Sequence, residues 1–222
     1  MKKDIAILLL SLLIIQLLTS CQKSCQSVLL ASFRFSQEDL DIVPYEGHDT
    51  LVFVSSAGHT ITFKAYGRIA HFGQQGYEYV EFPRSDDYCP GNYYYTEENR
   101  MEFYGSVSGS WLNFYQHMSN PFAPPVIKYL GIWMTVRDSI YWSFSSSYRF
   151  DSLKLYEDKP PYPIIPVHDN VLIGSQVYHQ VYVLPSRYTS HGPTGNLDTL
   201  YYSLTEGVLG FRNEYGVIWQ LK

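Results

Sequence analysis

Catalysis needs reactive side chains at fixed spacing, and this sequence offers few of them. Seven histidines, His48, His59, His71, His117, His168, His179 and His191, are scattered along 222 residues. Two have an aspartate neighbour, His48-Asp49 and His168-Asp169. Neighbours in a strand point to opposite faces, so neither pair is a persuasive set of ligands. No HExxH, CxxC or EF-hand spacing occurs, and no metal site is expected. GSVSG at 105–109 has Val107 where a nucleophile elbow needs serine, and no phosphate loop is present. A Ser-His-Asp triad built from distant segments stays open, but the sequence cannot name its members. No cofactor is expected, and the balance falls against an enzyme.

Aromatic rings offer a different chemistry. They make up 17% of the chain, including 21 Tyr. Tyr93, Tyr94 and Tyr95 sit with Tyr88 in a polar stretch, 84–99, that reads as a loop. Exposed tyrosines stack on sugars or peptides at little entropic cost, so these four are candidate ligand contacts. The alternative is that they cover the core or the mouth of a sheet. Net charge is −5 with no basic run, which argues against nucleic acid as a partner.

The elements that must position such residues are strands. LVFVS (51–55) and TITFKAY (60–66) alternate about a Gly-containing turn and predict a hairpin. MEFYGSV (101–107) with SWLNFYQHM (110–118), and VIKYLGIWMTV (126–136) with SIYWSFS (139–145), predict two more. VLLASFRF (28–35) and YEYVEF (77–82) read as single strands, SQEDLD (36–41) as one helical turn. The segment 157–166, with four prolines, reads as an extended connection. VLIGSQVYHQVYVL (171–184) reads as a strand, followed by DTLYYSL, VLGF and VIWQL. Turn signals every ten or so residues, without a sustained helical period, predict an all-β antiparallel sandwich or barrel-like meander. It would form one domain over 28–222.

Four predicted strands open alike: Asp49-Thr50-Leu51, Asp138-Ser139-Ile140, Asp151-Ser152-Leu153 and Asp198-Thr199-Leu200. Aspartate favours turns, and alternation then sends the apolar residue inward and the hydroxyl outward.

The N-terminus supplies Lys2 and Lys3, an apolar run from Ile5 to Leu18, and then Leu18-Thr19-Ser20-Cys21. The run is too short for a membrane-spanning helix and suits a signal peptide at 1–20. Leu-Thr-Ser-Cys resembles a bacterial lipobox. That resemblance implies cleavage before Cys21 and acylation of its thiol, palmitate included, with 21–27 as a tether. Several acyl chains would make the anchor permanent. The two other cysteines, Cys25 and Cys89, could pair in an oxidising compartment or stay free.

The C-terminal stretch Val171–Leu221, with DTLYYSLTEGVLGFRNEYGVIWQL, resembles the end of lipoproteins of Bacteroidota. In those it closes an all-β domain of unassigned function. The four triplets likewise resemble the O-glycosylation signal of Bacteroidota, which makes Thr50, Ser139, Ser152 and Thr199 candidate glycan carriers. These resemblances imply a lipid-anchored protein of the outer membrane but no activity. Without a catalytic signature the chain reads as a binding or scaffolding module, with a glycan or an envelope protein as candidate partners. Gln22-Lys23-Ser24 lacks the acidic cluster of surface-exported relatives, which favours the periplasmic face. A carrier of a small hydrophobic ligand, and a hydrolase acting on envelope glycans or lipids, are the alternatives. The first requires an enclosed apolar cavity, the second a cleft where histidines and carboxylates converge.

Overall fold

A computed structural model describes residues 29–78, 92–119, 126–137, 141–151, 153–187 and 195–222. In chain order the elements are β1 (Leu29–Phe33), α1 (Gln37–Asp41), β2 (Thr50–Ser55), β3 (Thr60–Glu78), β4 (Asn92–Gly105), β5 (Trp111–Ser119), β6 (Ile127–Arg137) and β7 (Tyr141–Asp151). They continue as β8 (Lys154–Glu157), β9 (Val167–His168), β10 (Val171–Ile173), β11 (Gln176–Tyr178), β12 (Val181–Pro185), β13 (Gly195–Ser203), β14 (Gly207–Asn213) and β15 (Ile218–Leu221). The all-β expectation holds, as a closed barrel.

Nine strands form the ring, in the order β7-β6-β5-β4-β3-β2-β15-β14-β13 and back to β7. Up-and-down strands leave one like-directed pair when their number is odd. Here that pair is β7 and β13, which run parallel through Gly195↔Trp142 and Asn196↔Ser143. Beyond it the two strands diverge into a fork. β8 takes the free edge of β7, and β12 takes that of β13.

Alternation fills the ring. β7 reads exposed-buried in strict period two, with Trp142, Phe144, Tyr148 and Phe150 inward. Phe53, Phe63, Phe103, Phe114 and Phe211 meet them from the other strands, each at most 1% exposed. Burying one such ring stabilises the fold by about 1.5–3 kcal/mol.

The chain between Phe35 and Tyr45 packs into the ring as well. Phe35, Ile42, Val43 and Tyr45 join its core. Polar side chains fix the backbone of this plug: Tyr202 donates to the Ile42 carbonyl, Gln116 to that of Asp39, and Arg68 to those of Val43 and Tyr45. Ser36 and Asp39 cap α1 reciprocally, which is why so short a helix forms.

Asp39 is 3% exposed, yet both its oxygens accept from Lys128 Nζ, at 2.7 and 2.8 Å. Burial pushes its carboxyl up, but Lys128 and the Ser36 hydrogen bonds outweigh this and hold it below the usual range. A depressed carboxyl stabilises the fold fully above the unfolded value of about 4 and loses that contribution as pH falls through the folded value. Urea midpoints measured from pH 7 to pH 3 should therefore drop more steeply for the natural chain than for Asp39→Asn. Parallel curves would show that this ion pair contributes no pH dependence.

Several expectations need correction. The stretch 84–99 is not loop throughout: β4 begins at Asn92, because backbone pairing with β3 (Glu78↔Asn92, Tyr77↔Tyr93) overrides its polar composition. Of YEYVEF, Tyr77 and Glu78 belong to β3, and 79–82 lie outside the described residues. The 171–184 run is a hairpin, β10–β11, followed by β12; its turn lies at Gly174-Ser175. The proline segment folds back on β8, with Ile165 N donating to the Leu155 carbonyl and the Ile165 side chain in the core. Asp49 directly precedes β2 and the Asp151 triplet leads into β8 at Lys154, while 138–140 and Ser152 lie outside the described residues. Asp151 ends β7, and Asp198-Thr199 lies within β13 at a register shift.

Past Gly67, β3 and β4 run beyond the last β2 partner as a two-stranded arm. β1 lies along β4 in parallel, from Leu29↔Tyr93 to Phe33↔Thr96. Inside the arm Tyr95 stacks on Phe72, with ring centres 5.2 Å apart.

Candidate functional site

The outer face of β4–β7 carries a row of aromatic side chains that the core does not use. Inward residues there (Met101, Leu112, Phe114, Ile132, Met134, Phe144) are buried, so their sequence neighbours face out. Three registers order this surface: Arg100↔Tyr115↔Gly131↔Ser147, Glu102↔Asn113↔Trp133↔Ser145 and His117↔Tyr129↔Arg149.

Tyr115 and His117 stack at 5.0 Å and 23°, His117 and Tyr129 at 5.2 Å and 12°. Trp133 joins Tyr115 at 5.8 Å. The Arg100 guanidinium stands 5.5 Å from the Tyr115 ring centre. Burial, then a hydrogen bond to Glu98, pushes the Tyr115 hydroxyl up to about 12, so it stays protonated and donates to that carboxylate. Burial also lowers the His117 imidazole, against the pull of Glu98. His117 Nδ1 is buried without a hydrogen-bond partner among the described residues. The imidazole thus acts as a neutral spacer between two phenol rings.

Beside this row Ile69, His71, Glu98, Arg100 and Tyr115 line a groove of about 260 Å³. A larger cleft, about 470 Å³, lies between the β10–β11 hairpin and β15, lined in part by Ser175, Ile218 and Gln220. Its central amide is already engaged: Gln220 accepts from Ser175 N and donates to Gln176. The aromatic face, with rings and charges converging on a free surface, is the better site.

The residues singled out from sequence fare unevenly. Thr50 is exposed beside Asp49, whose carboxylate accepts from the Glu46 and Gly47 N–H groups. Thr199 is 6% exposed and its hydroxyl accepts from Arg212 at 3.0 Å, so it is not the open hydroxyl that alternation predicts. Arg212 also holds Asp198, and these cross-strand bonds cover the threonine. Tyr93 and Tyr94 lie on β4 of the arm, away from the aromatic row. Cys21, Cys25, Tyr88, Cys89, Ser139 and Ser152 lie outside the described residues.

His48, His59, His71, His168 and His179 are exposed and dispersed. Among the described residues no group of three or more His, Cys, Asp or Glu is placed to hold a metal. Sequence reasoning missed Tyr115, His117, Tyr129 and Trp133. The signal was there: in SWLNFYQHM rings occupy both phases of the alternation, and in VIKYLGIWMTV Tyr129 and Trp133 share the phase opposite Leu130, Ile132 and Met134, so one set of rings must face out.

No protein-family model matches the chain, and neither a curated protein nor a solved structure is detectably similar to it.

Proposed function

We propose that this is a lipid-anchored protein of the cell envelope that binds a ligand on the outer aromatic face of its barrel and performs no catalysis. The observation that carries the reading is the contrast between the two sides of one sheet. Inside, rings such as Phe103, Phe114 and Phe144 pack the barrel. Outside, Tyr115, His117, Tyr129 and Trp133 form a half-exposed row flanked by Glu98 and Arg100. Folding alone does not require large rings on a solvent face, whereas recognition uses them often. The filled interior weighs against a carrier of hydrophobic ligands, and the dispersed histidines weigh against a hydrolase. The anchor rests on Leu18-Thr19-Ser20-Cys21 and the apolar run before it.

The detergent-solubilised full chain should co-sediment with washed envelope fragments, and Tyr115→Ala/Trp133→Ala should remain in the supernatant. In cells that process lipoproteins, Cys21→Ser should move the protein out of the membrane pellet. Equal sedimentation of both purified chains removes the binding face; a Cys21→Ser protein still in the pellet removes the anchor.

A further inference from the structure

Trp133 lies over a glycine of its own strand. Gly131 is two residues before it on the same face, and a Cβ there would stand 2.8 Å from indole Cη2. With no side chain at 131, the indole lies down along β6 and presents a flat face. Tyr115 meets it at 5.8 Å and 36°, and itself stacks on His117.

Apart from the rings of Trp111 and Tyr115, the side chains around this indole are short, polar and uncharged. Asn113 on β5 and Ser145 on β7 stand opposite Trp133 in register. Thr135, Ser143 and Ser147 occupy the adjoining rows, and all five are partly exposed. Their side chains make no hydrogen bond to one another. The nearest charges compensate each other, Arg100 Nη1 lying 3.5 Å from Glu102 Oε1.

We infer that this patch binds one pyranose unit of an envelope saccharide, its C–H face on Trp133 and its hydroxyls on the Asn113–Ser145 rim. An aromatic or aliphatic partner would bury those hydroxyl and amide groups without replacing their water hydrogen bonds. A sugar ring has one apolar face and a hydroxylated edge, which suits both parts of the site. The inference rests on the binding function proposed above.

The test uses the full chain in a zwitterionic, sugar-free detergent. It is titrated with methyl pyranosides and with envelope oligosaccharides, and tryptophan fluorescence and saturation-transfer NMR are read. Binding on the order of millimolar is expected for a single ring. Trp133→Ala should weaken it roughly tenfold, a hot-spot-sized loss. Gly131→Val keeps the tryptophan but lifts it from its bed, and should weaken binding similarly, with the unfolding midpoint reporting whether the fold is intact. Binding that survives both substitutions, or no binding by any saccharide, overturns the inference. Envelope sedimentation that needs Trp133 but is not competed by saccharide would overturn it too, while leaving the binding function standing.

Discussion

Adding one methyl group at Gly207 should destabilise the protein by roughly 2–4 kcal/mol, a large share of the 5–15 kcal/mol typical of a domain. Gly207 begins β14 at φ +79°, where an alanine is strained by about 1–2 kcal/mol. Its Cβ would also overlap the hydroxyl and Cζ of Tyr45. Tyr45 cannot move aside easily. Its ring packs edge-on to Phe103 at 4.9 Å and against Phe114 at 5.3 Å, and its hydroxyl accepts from Val208 N at 2.6 Å. Burial pushes that hydroxyl far above its ordinary value, so it remains a neutral group at any working pH. Tyr45→Ala alone should cost about 3–5 kcal/mol, as deletion of a buried ring does. In that background the obstacle is gone, and Gly207→Ala should cost only the backbone strain. Urea unfolding of the two single variants and the double variant gives the coupling, expected near 2 kcal/mol. Additive losses would mean that Tyr45 is not what forbids a side chain at 207.

Arg187→Ala should cost about 3 kcal/mol, near the range for breaking a largely buried ion pair from one side. Arg187 closes the fork where β7 and β13 part. Its guanidinium pairs with both Glu157 and Asp158 and lies over the Tyr148 ring, while its backbone N–H donates to the Ser145 carbonyl. Tyr148 and Ser146 both donate to the Pro185 carbonyl, two residues earlier. Removing the cation leaves two neighbouring carboxylates facing each other. Arg187→Lys should recover only part of the loss, because one ammonium cannot replace a planar fork on two acids. The Arg187 side chain is 15% exposed, so 1 M salt should weaken the effect little. A loss under 0.5 kcal/mol would class the cluster with ordinary surface pairs.

The hairpins β2–β3, β4–β5 and β6–β7 were readable because each strand has one face in an apolar core, and period two follows from that alone. The α1 turn was readable through Ser36 and Asp39. What failed were features decided by partners distant in sequence. Asn92–Tyr95 is polar enough for a loop, yet it pairs with β3 on one side and β1 on the other. Asp49, Asp151 and Asp198 share a motif but not a use: a turn cap, a strand end, and a clasp for Arg212. The aromatic row was missed for a related reason. Alternation was read for what it buries, and the rings left on the other phase acquire meaning only when β4, β5 and β6 are set side by side.

The parallel pairing of β1 with β4 decides how the molecule would stand. Leu29 is level with Tyr93, at the end of the arm farthest from the ring, so the polypeptide arrives there and travels inward to the plug. Trp133 is in register, through Asn113, with Glu102, nine residues further along β4. At about 3.3 Å per residue the indole is some 30 Å from that point of arrival. Under the anchoring proposed above, the arm would meet the gripping surface first and act as a stand-off that keeps the aromatic flank clear of it.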